Sequence, residues 1–386
     1  MNVDIAIVGG GPVGGSLARA LSASGLSLAL VEPKAPRPLP AVGFDQRVYA
    51  LNGRSRRFLE SCGVWQQLSR ERIAPVREMR VFGDGASKIE FSAYRSGVPE
   101  LAVIVEEGNL QRALQAALSA QSNLSLFSGI ECVGVHWDDA RATLSLSDAR
   151  QIEARLVVAA DGADSALRGA AGITTNIHDY GQTGVVANFQ VARAHGDTAY
   201  QWFLGNGVLA LLPLPGNHMS MVWSASDEDA RGLLAASAQD LARRVENASS
   251  GLLGNMEAVS VAAGFTLRRM RAARLIAPRL ALVGDTAHNV HPLAGQGLNL
   301  GFGDAQALAA VLGARGMETD VGAFSLLRRF ERSRREDLLA MEAVTDGLQA
   351  LFDSNLPGVK RLRNVGLSLA NRISPLKRLL VKRALG

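Results

Sequence analysis

The sequence predicts an α/β fold in which a domain of βαβ units is interleaved with a mostly antiparallel β-sheet domain and followed by a helical tail. Near the N-terminus, DIAIVGGGPVGGSLARALSASGLSLALVEP contains a buried strand, a glycine turn, a helix from about Pro12 to Ser24 and a second strand ending at Glu32. In the middle of the chain, TAYQWFLG, GVLALLPLPG and HMSMVWSAS are strand-like and imply antiparallel pairing. The α/β pattern returns with RLALVGD and a helix from about Gly297 to Arg315, so the sheet domain is inserted into the α/β domain.

Two further helices complete the predicted organisation. The segment NLQRALQAALSA places Leu110, Leu114 and Leu118 at helical spacing and precedes the strand-like ARLVVAADG. The segment LLRRFERSRREDLLAMEAV mixes acidic and basic residues, which predicts a helix with a solvated face. The 386 residues are enough for two hydrophobic cores. The predicted α/β domain comprises residues 1–75, 105–175 and 266–353, the sheet domain 76–104 and 176–265, and the basic helical tail 354–386.

The composition predicts a folded cytoplasmic protein. Hydrophobic residues make up 47% of the chain and charged residues 20%, and neither a secretory signal nor a continuous apolar run long enough for a membrane span is visible. Cys62 and Cys132 lack metal-ligand spacing and are interpreted as packing residues. The net charge of +5 comes from residues 354–386, which contain Lys and Arg but no acid, and this distribution argues against a nucleic-acid partner.

The first glycine turn has the full context of a dinucleotide-binding motif. In Gly9-x-Gly11-x-x-Gly14, Gly9 permits the tight turn, Gly11 lets the backbone approach a pyrophosphate, and Gly14 lets helix and strand pack closely. Pro12 opens the helix, whose N-terminus carries partial positive charge. Glu32, at the end of the next strand, is placed to accept hydrogen bonds from an adenosine ribose. The turn therefore predicts a Rossmann-like domain, but it does not distinguish FAD from NAD.

A second stretch, GDTAHNVHPLAGQGLNLG, allows three interpretations. Asp285, His288 and His291 could belong to a metal site, a hydrolase triad or the cradle of an organic cofactor. A zinc site needs three or four ligands, and a hydrolase triad needs a nucleophile such as the Ser of GxSxG, which this chain lacks. The sequence therefore predicts no metal, and both histidines are interpreted as loop residues beside a cofactor. The other histidines are scattered: His136, His178, His195 and His218.

Together with the glycine turn, two motifs carry a resemblance to a known family. AADGADSALR, with Asp161 and Arg168, resembles the DG motif of the class A flavoprotein aromatic hydroxylases, and GDTAHNVHPLAGQGLNLG resembles their GD motif and flavin loop. The segment HPLAGQGLNLG looks most like the corresponding segment of the ubiquinone-biosynthesis hydroxylases, which act on polyprenylated phenols. The resemblance implies FAD as cofactor and a fold like that of p-hydroxybenzoate hydroxylase.

The resemblance also implies a role for each residue of the second stretch. Gly284 and Asp285 would form the turn whose carboxylate binds the ribityl hydroxyls of FAD. The backbone N–H groups of Leu298 and Asn299 would point at N1 and the C2 carbonyl of the flavin, where reduced flavin carries negative charge. The residues implied to lie against the isoalloxazine ring are Pro292, Gly295, Gln296 and Gly297.

Arg47, Gln111 and the DG motif also match the family, and one dipeptide departs from it. Arg47 in FDQRVYAL matches an arginine on the pyrophosphate side of FAD, and Gln111 in LQRAL matches a flavin-contacting glutamine. Asp161 and Arg168 of the DG motif would either link the FAD and nicotinamide sites or tie a strand end to a turn. The chain has Glu107-Gly108 where the family has Asn-Arg, which places a basic contact near the flavin or phosphates in doubt.

The implied activity is that of an FAD-dependent, NAD(P)H-driven monooxygenase. Reduced flavin would react with O2 to a C4a-hydroperoxide and hydroxylate a polyprenylated phenol ring in ubiquinone biosynthesis. Two alternatives are compatible with the same motifs, namely a flavin-dependent prenyl-chain reductase and a non-catalytic flavin-binding member of a quinone-biosynthesis assembly. The expected partners are a lipophilic polyprenylphenol and O2, with no nucleic acid.

Two segments have both a structural and a functional interpretation. The basic tail could form amphipathic helices on the inner face of the cytoplasmic membrane, or could pack against the domain or a partner of a quinone-biosynthesis complex. The apolar residues in the strands of the sheet domain could form the walls of a pocket for a prenyl tail. Such residues more often belong to the hydrophobic core. These apolar residues are Trp202, Phe203, Leu209 to Leu212, Met219, Met221 and Trp223.

Overall fold

The computed structural model describes residues 1–35, 38–40, 42–83, 87–205, 207–289, 297–316 and 318–353, with side chains through residue 340. Several predicted features lie outside these residues. They are His291, Pro292, Gly295, Gln296 and the basic tail, 354–386.

The described residues form strands and helices along the whole described part of the chain. The strands are β1 (Asn2–Val8), β2 (Leu28–Glu32), β3 (Val48–Leu51), β4 (Ile73–Val76), β5 (Glu78–Phe82), β6 (Lys88–Ser92), β7 (Ala102–Glu106), β8 (Leu124–Ser128), β9 (Cys132–Trp137), β10 (Ala142–Leu146), β11 (Gln151–Ala159), β12 (Thr175–Val191), β13 (Thr198–Leu204), β14 (Gly207–Leu214), β15 (His218–Ser226), β16 (Met256–Ala258), β17 (Ala263–Ala272), β18 (Ile276–Ala277), β19 (Leu280–Leu282) and β20 (His288–Asn289). The helices are α1 (Pro12–Ala20), α2 (Gly53–Ser61), α3 (Ala93–Ser96), α4 (Glu107–Ser119), α5 (Ala166–Ala170), α6 (Asp227–Leu234), α7 (Ala238–Ala248), α8 (Gly297–Gly313) and α9 (Phe324–Asp353).

The first sheet is built on parallel strands in the order β19-β11-β1-β2-β8. Its central strands are apolar runs because helices cover a parallel sheet, and Ile5, Ile7 and Leu30 are fully buried. The antiparallel strands β18, β10 and β9 extend it. The glycine turn follows the carboxyl end of β1, and the DG motif follows that of β11. Strand β2 ends at the same edge of the sheet, which is where ligands of parallel sheets bind. The α/β class predicted from the sequence is confirmed.

The second sheet runs in the order β20-β17-β12-β15-β14-β13-β5-β6, with β16 also paired to β12. Its pairings are antiparallel except for β13 with β5, as the mostly antiparallel prediction requires. A third, small antiparallel sheet contains β3, β7 and β4. Strands β5 and β6 and the later strands β12 to β17 share one sheet, which supports an interleaved organisation. The exact domain boundaries stay a prediction.

The apolar strands of the second sheet form a core against helices α6 and α7. One face contributes Trp202, Leu211 and Met221, and the helices contribute residues such as Leu241 and Val245. Phe203 lies in a separate small cluster with residues of β5 and β6. The plain-core interpretation of these side chains therefore holds for this face of the sheet.

One predicted helix is shorter in the structure, and another has a buried face in addition to the predicted one. Helix α1 ends at Ala20 rather than at Ser24, and turns follow it. The charged segment of α9 has the solvated face that the sequence predicts, with Arg328, Arg332 and Arg335 exposed. Its other face, with Leu327, Phe330 and Arg334, is buried. None of the helices in the described part of the chain is both long and apolar enough to cross a bilayer.

Candidate functional site

The turn after β1 contains the three motif glycines. A Cβ would have free space at one of them and would clash at the other two. Gly9 has a φ of +105°, and a Cβ on it would lie 2.1 Å from the carbonyl oxygen of Ala160. A Cβ on Gly14 would lie 1.9 Å from the carbonyl oxygen of Gly9. At Gly11 the Cβ position has no described atom within 4 Å beyond its chain neighbours, and Pro12 opens α1 beside it. The backbone at Gly11 and the N-terminus of α1 thus leave room for a phosphate group.

Glu32 stands beside this turn at the end of β2. The Gly10 N–H donates to its Oε2 at 2.6 Å, and the Lys34 N–H donates to its Oε1 at 2.8 Å. These bonds fix the carboxylate, while each oxygen keeps capacity for another hydrogen bond. The arrangement fits an acid that accepts hydrogen bonds from ribose hydroxyls.

Asp285 lies in a one-turn 3₁₀ helix, Gly284–Thr286, directly after β19. Its side chain is exposed, and none of the described residues forms a hydrogen bond with its carboxylate. Burial of the carboxyl by the surrounding protein nevertheless raises its pKa, an effect that the Arg47 and His288 charges oppose. Asp285 is therefore an accessible acceptor in a recessed position, as binding of ligand hydroxyls requires.

The DG motif is bonded directly to the turn that carries Asp285. The Thr286 hydroxyl accepts a hydrogen bond from the Gly162 N–H at 3.0 Å and donates to Oδ1 of Asp161 at 3.2 Å. The buried Arg168 donates from Nη1 to the Thr286 carbonyl at 2.9 Å and from Nη2 to the Ala163 carbonyl at 2.8 Å. These bonds match the interpretation in which the motif ties a strand end to a turn. A link to a nicotinamide site stays a prediction.

Helix α8 begins at Gly297, so Leu298 and Asn299 lie in its first turn. The first N–H groups of a helix have no acceptor within it, and the N-terminus favours negative charge. The Asn299 side chain has a second role that the sequence analysis missed, because it anchors this end of the helix. Its Oδ1 accepts hydrogen bonds from the N–H of Asn52 (3.1 Å) and the hydroxyl of Ser55 (2.6 Å), and its Nδ2 donates to the carbonyl of Ala50 (2.9 Å).

Arg47 shares its surroundings with Tyr49, Glu107 and Asp285. Its guanidinium lies 5.5 Å from the ring centroid of Tyr49 and 3.6 Å from Oε1 of Glu107, which also accepts the Tyr49 hydroxyl at 3.1 Å. The interactions of Arg47 with Tyr49, Glu107 and Asp285 raise the pKa of its guanidinium, against the effect of burial. Gln111 lies half-buried on α4, and its side chain has no partner among the described residues.

The departure at residues 107 and 108 has a structural reason. The Gly108 N–H donates to Oδ2 of Asp45 at 2.7 Å, and a Cβ at this position would lie 2.6 Å from the same oxygen. The fully buried Glu106 accepts the Asp45 N–H at 2.6 Å and forms two bonds with Arg72 at 2.7 and 2.8 Å. This network holds the segment before Arg47, and no sequence motif pointed to it.

The separate motifs converge on one edge of the parallel sheet. Val13 of α1 packs under the second turn, since a Cβ on Gly284 would lie 3.1 Å and one on Gly301 2.5 Å from its Cγ2. The glycine turn in turn touches Ala160, directly before the DG motif. Across the described ranges, no three His, Cys, Asp or Glu side chains form a group suited to a metal ion. The fold and this edge define an enzyme that binds a dinucleotide cofactor, and these residues fit FAD: a phosphate cradle, a ribose acid and a second, accessible acid.

Comparison with known proteins identifies the family. A model of the FAD binding domain family matches residues 2–345. The chain is 36% identical to ubiquinone hydroxylase UbiL of Rhodospirillum rubrum, over 99% of this chain and 89% of that protein. It is also 36% identical to 3-demethoxyubiquinol 3-hydroxylase of Escherichia coli, over 99% and 98%. The crystal structure of p-nitrophenol 4-monooxygenase PnpA from Pseudomonas putida has the same fold, with a TM-score of 0.80, 18% identity and coverage of 100% and 99%. The chain belongs to the FAD-binding family of flavoprotein monooxygenases, and FAD is its cofactor.

Proposed function

We propose that this chain hydroxylates the aromatic ring of a polyprenylated phenol in ubiquinone biosynthesis, with NAD(P)H as reductant and O2 as oxidant. The observation that carries the proposal is the full-length similarity to two hydroxylases named for ubiquinone and demethoxyubiquinol. The accessible Asp285 and the open backbone at Gly11 support it, because both suit FAD at the edge described above.

The residues that would hold FAD divide into two groups. Gly11 and the N-terminus of α1 would bind the pyrophosphate, with Glu32 on the adenosine ribose and Arg47 on the phosphate side. Asp285 would accept hydrogen bonds from the ribityl hydroxyls, and the first turn of α8 would face the flavin ring with Leu298 and Asn299. Bound FAD supplies the redox and oxygen chemistry. The predicted ring contacts Pro292, Gly295 and Gln296 complete the proposed site.

The substrate ring is expected on the face of the second sheet that faces away from α6 and α7. Asn188 on β12 and Ser220 on β15 are paired across this face and fully buried. Asn188 Nδ2 donates to the carbonyls of Phe44 at 3.0 Å and Asp45 at 2.9 Å, a few residues before Arg47. This contact joins the face to the segment before Arg47, which supports a substrate ring beside the proposed FAD site. Closing the ring away from water would favour hydroxylation over release of hydrogen peroxide.

Product analysis in a quinone-deficient strain carrying this gene tests the proposal. We expect the missing hydroxylated quinone precursor to be restored, and the position of the new hydroxyl names the ring carbon. A prenyl-chain reductase would instead saturate the side chain. A non-catalytic flavin-binding protein would leave FAD that NAD(P)H cannot reduce even with substrate present. Either of these results would replace the proposed activity.

The basic tail is proposed to hold the enzyme on anionic membrane, where a polyprenyl substrate resides. Each of the eight Lys or Arg in residues 354–386 would contribute about 1 kcal/mol near an anionic surface. We expect the full chain to co-sediment with phosphatidylglycerol-containing vesicles and a chain ending at Asp353 to remain in the supernatant. Neutral vesicles serve as the control. Equal sedimentation of both chains would remove the membrane role from the tail.

A further inference from the structure

Asp304 is a fully buried carboxylate in α8 that the sequence analysis did not single out. Its Oδ1 lies 2.7 Å from Nε of Arg334, which is also buried. Its Oδ2 lies 2.7 Å from Nε2 of His288 and accepts the Gly284 N–H at 2.9 Å. One side chain therefore joins helix α8, helix α9, strand β20 and the turn that precedes Asp285.

Arg334 and His288 stabilise the buried negative charge of Asp304. Burial alone would raise the pKa of Asp304, but His288 and Arg334 together lower it, so the carboxylate is ionised. Burial alone would lower the pKa of His288, but Asp304 outweighs it and raises that pKa, with Arg334 opposing and Asp285 adding to the rise. A buried carboxylate costs free energy unless charges and hydrogen bonds surround it, and these partners supply both.

The two oxygens of Asp304 have separate tasks. Oδ1 faces the counter-ion, and α8 makes room for that guanidinium with Gly303, where a Cβ would lie 2.9 Å from Nη2 of Arg334. Oδ2 faces the two groups that flank Asp285 in the chain, the Gly284 N–H and the His288 imidazole. Gly284 has a φ of +63°, a conformation that a fixed hydrogen bond helps to hold.

We propose that Asp304 is a positioning residue for Asp285: by accepting the Gly284 N–H and binding His288, it fixes the turn in the orientation that presents the Asp285 carboxylate to the ribityl chain of FAD. This inference rests on the proposed FAD-binding role of Asp285. Asp304 itself would not touch the cofactor. Arg334 supplies the charge that lets the carboxylate stay ionised in the interior.

A matched pair of double variants separates positioning from charge balance. Asp304→Asn/Arg334→Met and Asp304→Leu/Arg334→Met both remove the buried ion pair and nearly preserve its volume, but only asparagine keeps an oxygen for the Gly284 N–H. We expect the asparagine pair to bind FAD within a few-fold of the wild type. The leucine pair should bind it about tenfold weaker, the factor expected when a buried N–H group loses its acceptor. The measurement is titration of the FAD-free protein by flavin fluorescence. Each variant is titrated at the same interval below its own thermal midpoint.

Hydrogen exchange provides a second readout that does not involve FAD. In the FAD-free protein, the peptide covering residues 280–287 should exchange faster in the leucine variant than in the asparagine variant. Equal FAD affinity and equal exchange in the two double variants would overturn the proposal. If the leucine variant does not fold, Asp304→Ser/Arg334→Met takes its place, because a serine hydroxyl is too short to reach the Gly284 N–H.

Asp285→Ala, titrated alongside, keeps the two proposals distinguishable. Weaker FAD binding in Asp285→Ala, with equal binding in the two double variants, would reject only the positioning role of Asp304. Unchanged FAD binding in Asp285→Ala would reject the ribityl role on which both proposals depend.

Discussion

Replacing Asp285 by alanine is expected to lower the affinity for FAD roughly a hundredfold while leaving the FAD-free protein folded. The carboxylate has no hydrogen-bond partner in the described part of the chain, so its loss breaks no hydrogen bond among those residues. Burial already disfavours its charge, and the free energy of unfolding should change by less than about 0.5 kcal/mol. Each lost bond to a ribityl hydroxyl costs about 1.5 kcal/mol or more, and two such bonds account for the expected factor.

Titration of the FAD-free protein measures this effect, with Asp285→Asn as the matched control. Asparagine keeps one acceptor oxygen but no charge, so its FAD affinity should fall between wild type and alanine. Loss of activity with normal FAD occupancy in Asp285→Ala would contradict the ribityl role and would point to a different task for this acid.

Alanine substitutions at two glycines of the same turn are expected to have different effects, one on stability and the other on FAD binding. Gly14→Ala should destabilise the protein by about 3 kcal/mol or more, because its Cβ would lie 1.9 Å from the Gly9 carbonyl oxygen. Gly11→Ala should leave the free energy of unfolding within about 0.5 kcal/mol, because its backbone is extended and its Cβ meets no described atom. Its methyl group would nevertheless occupy the space proposed for the pyrophosphate, and FAD affinity should fall about tenfold or more.

Thermal unfolding of the FAD-free variants and FAD titration together test this distinction. The expected result is a stable Gly11→Ala protein that binds FAD weakly. A Gly11→Ala protein that binds FAD as tightly as the wild type would show that the pyrophosphate does not approach this backbone. A Gly14→Ala protein with unchanged stability would contradict the close packing of α1 on β1.

The first βαβ unit was predictable because its signals are local. The order of strand, glycine turn, helix and Glu32 lies within the first 32 residues, and β1, α1 and β2 form there. Helices α6 and α7 were missed among the strand-like runs, although each begins with a capping signal in the sequence. Ser226 caps the N–H of Asp229 and Ser237 caps that of Asp240, the side-chain pattern that typically opens a helix.

The cluster around Asp304 could not be read from a motif, because the quoted motifs contain only Gly284 and His288 of its members. Arg334 lies 30 residues away, on a helix whose charges suggested solvent exposure. The spacing of Leu327, Phe330, Arg334 and Leu338 at intervals of three or four does place these residues on one face of α9, and all four are buried. An arginine on such a face indicates a buried acid elsewhere, but the sequence alone does not say which one.

Oxygen isotope labelling tests the central claim most directly. The FAD-loaded enzyme, given NAD(P)H and a polyprenylated phenol under ¹⁸O2, is expected to produce a ring-hydroxylated phenol that carries one ¹⁸O atom from the gas. The same reaction in H2¹⁸O under ordinary oxygen should give an unlabelled hydroxyl. A hydroxyl derived from water, or substrate conversion that proceeds equally well without O2, would contradict the assignment as a monooxygenase.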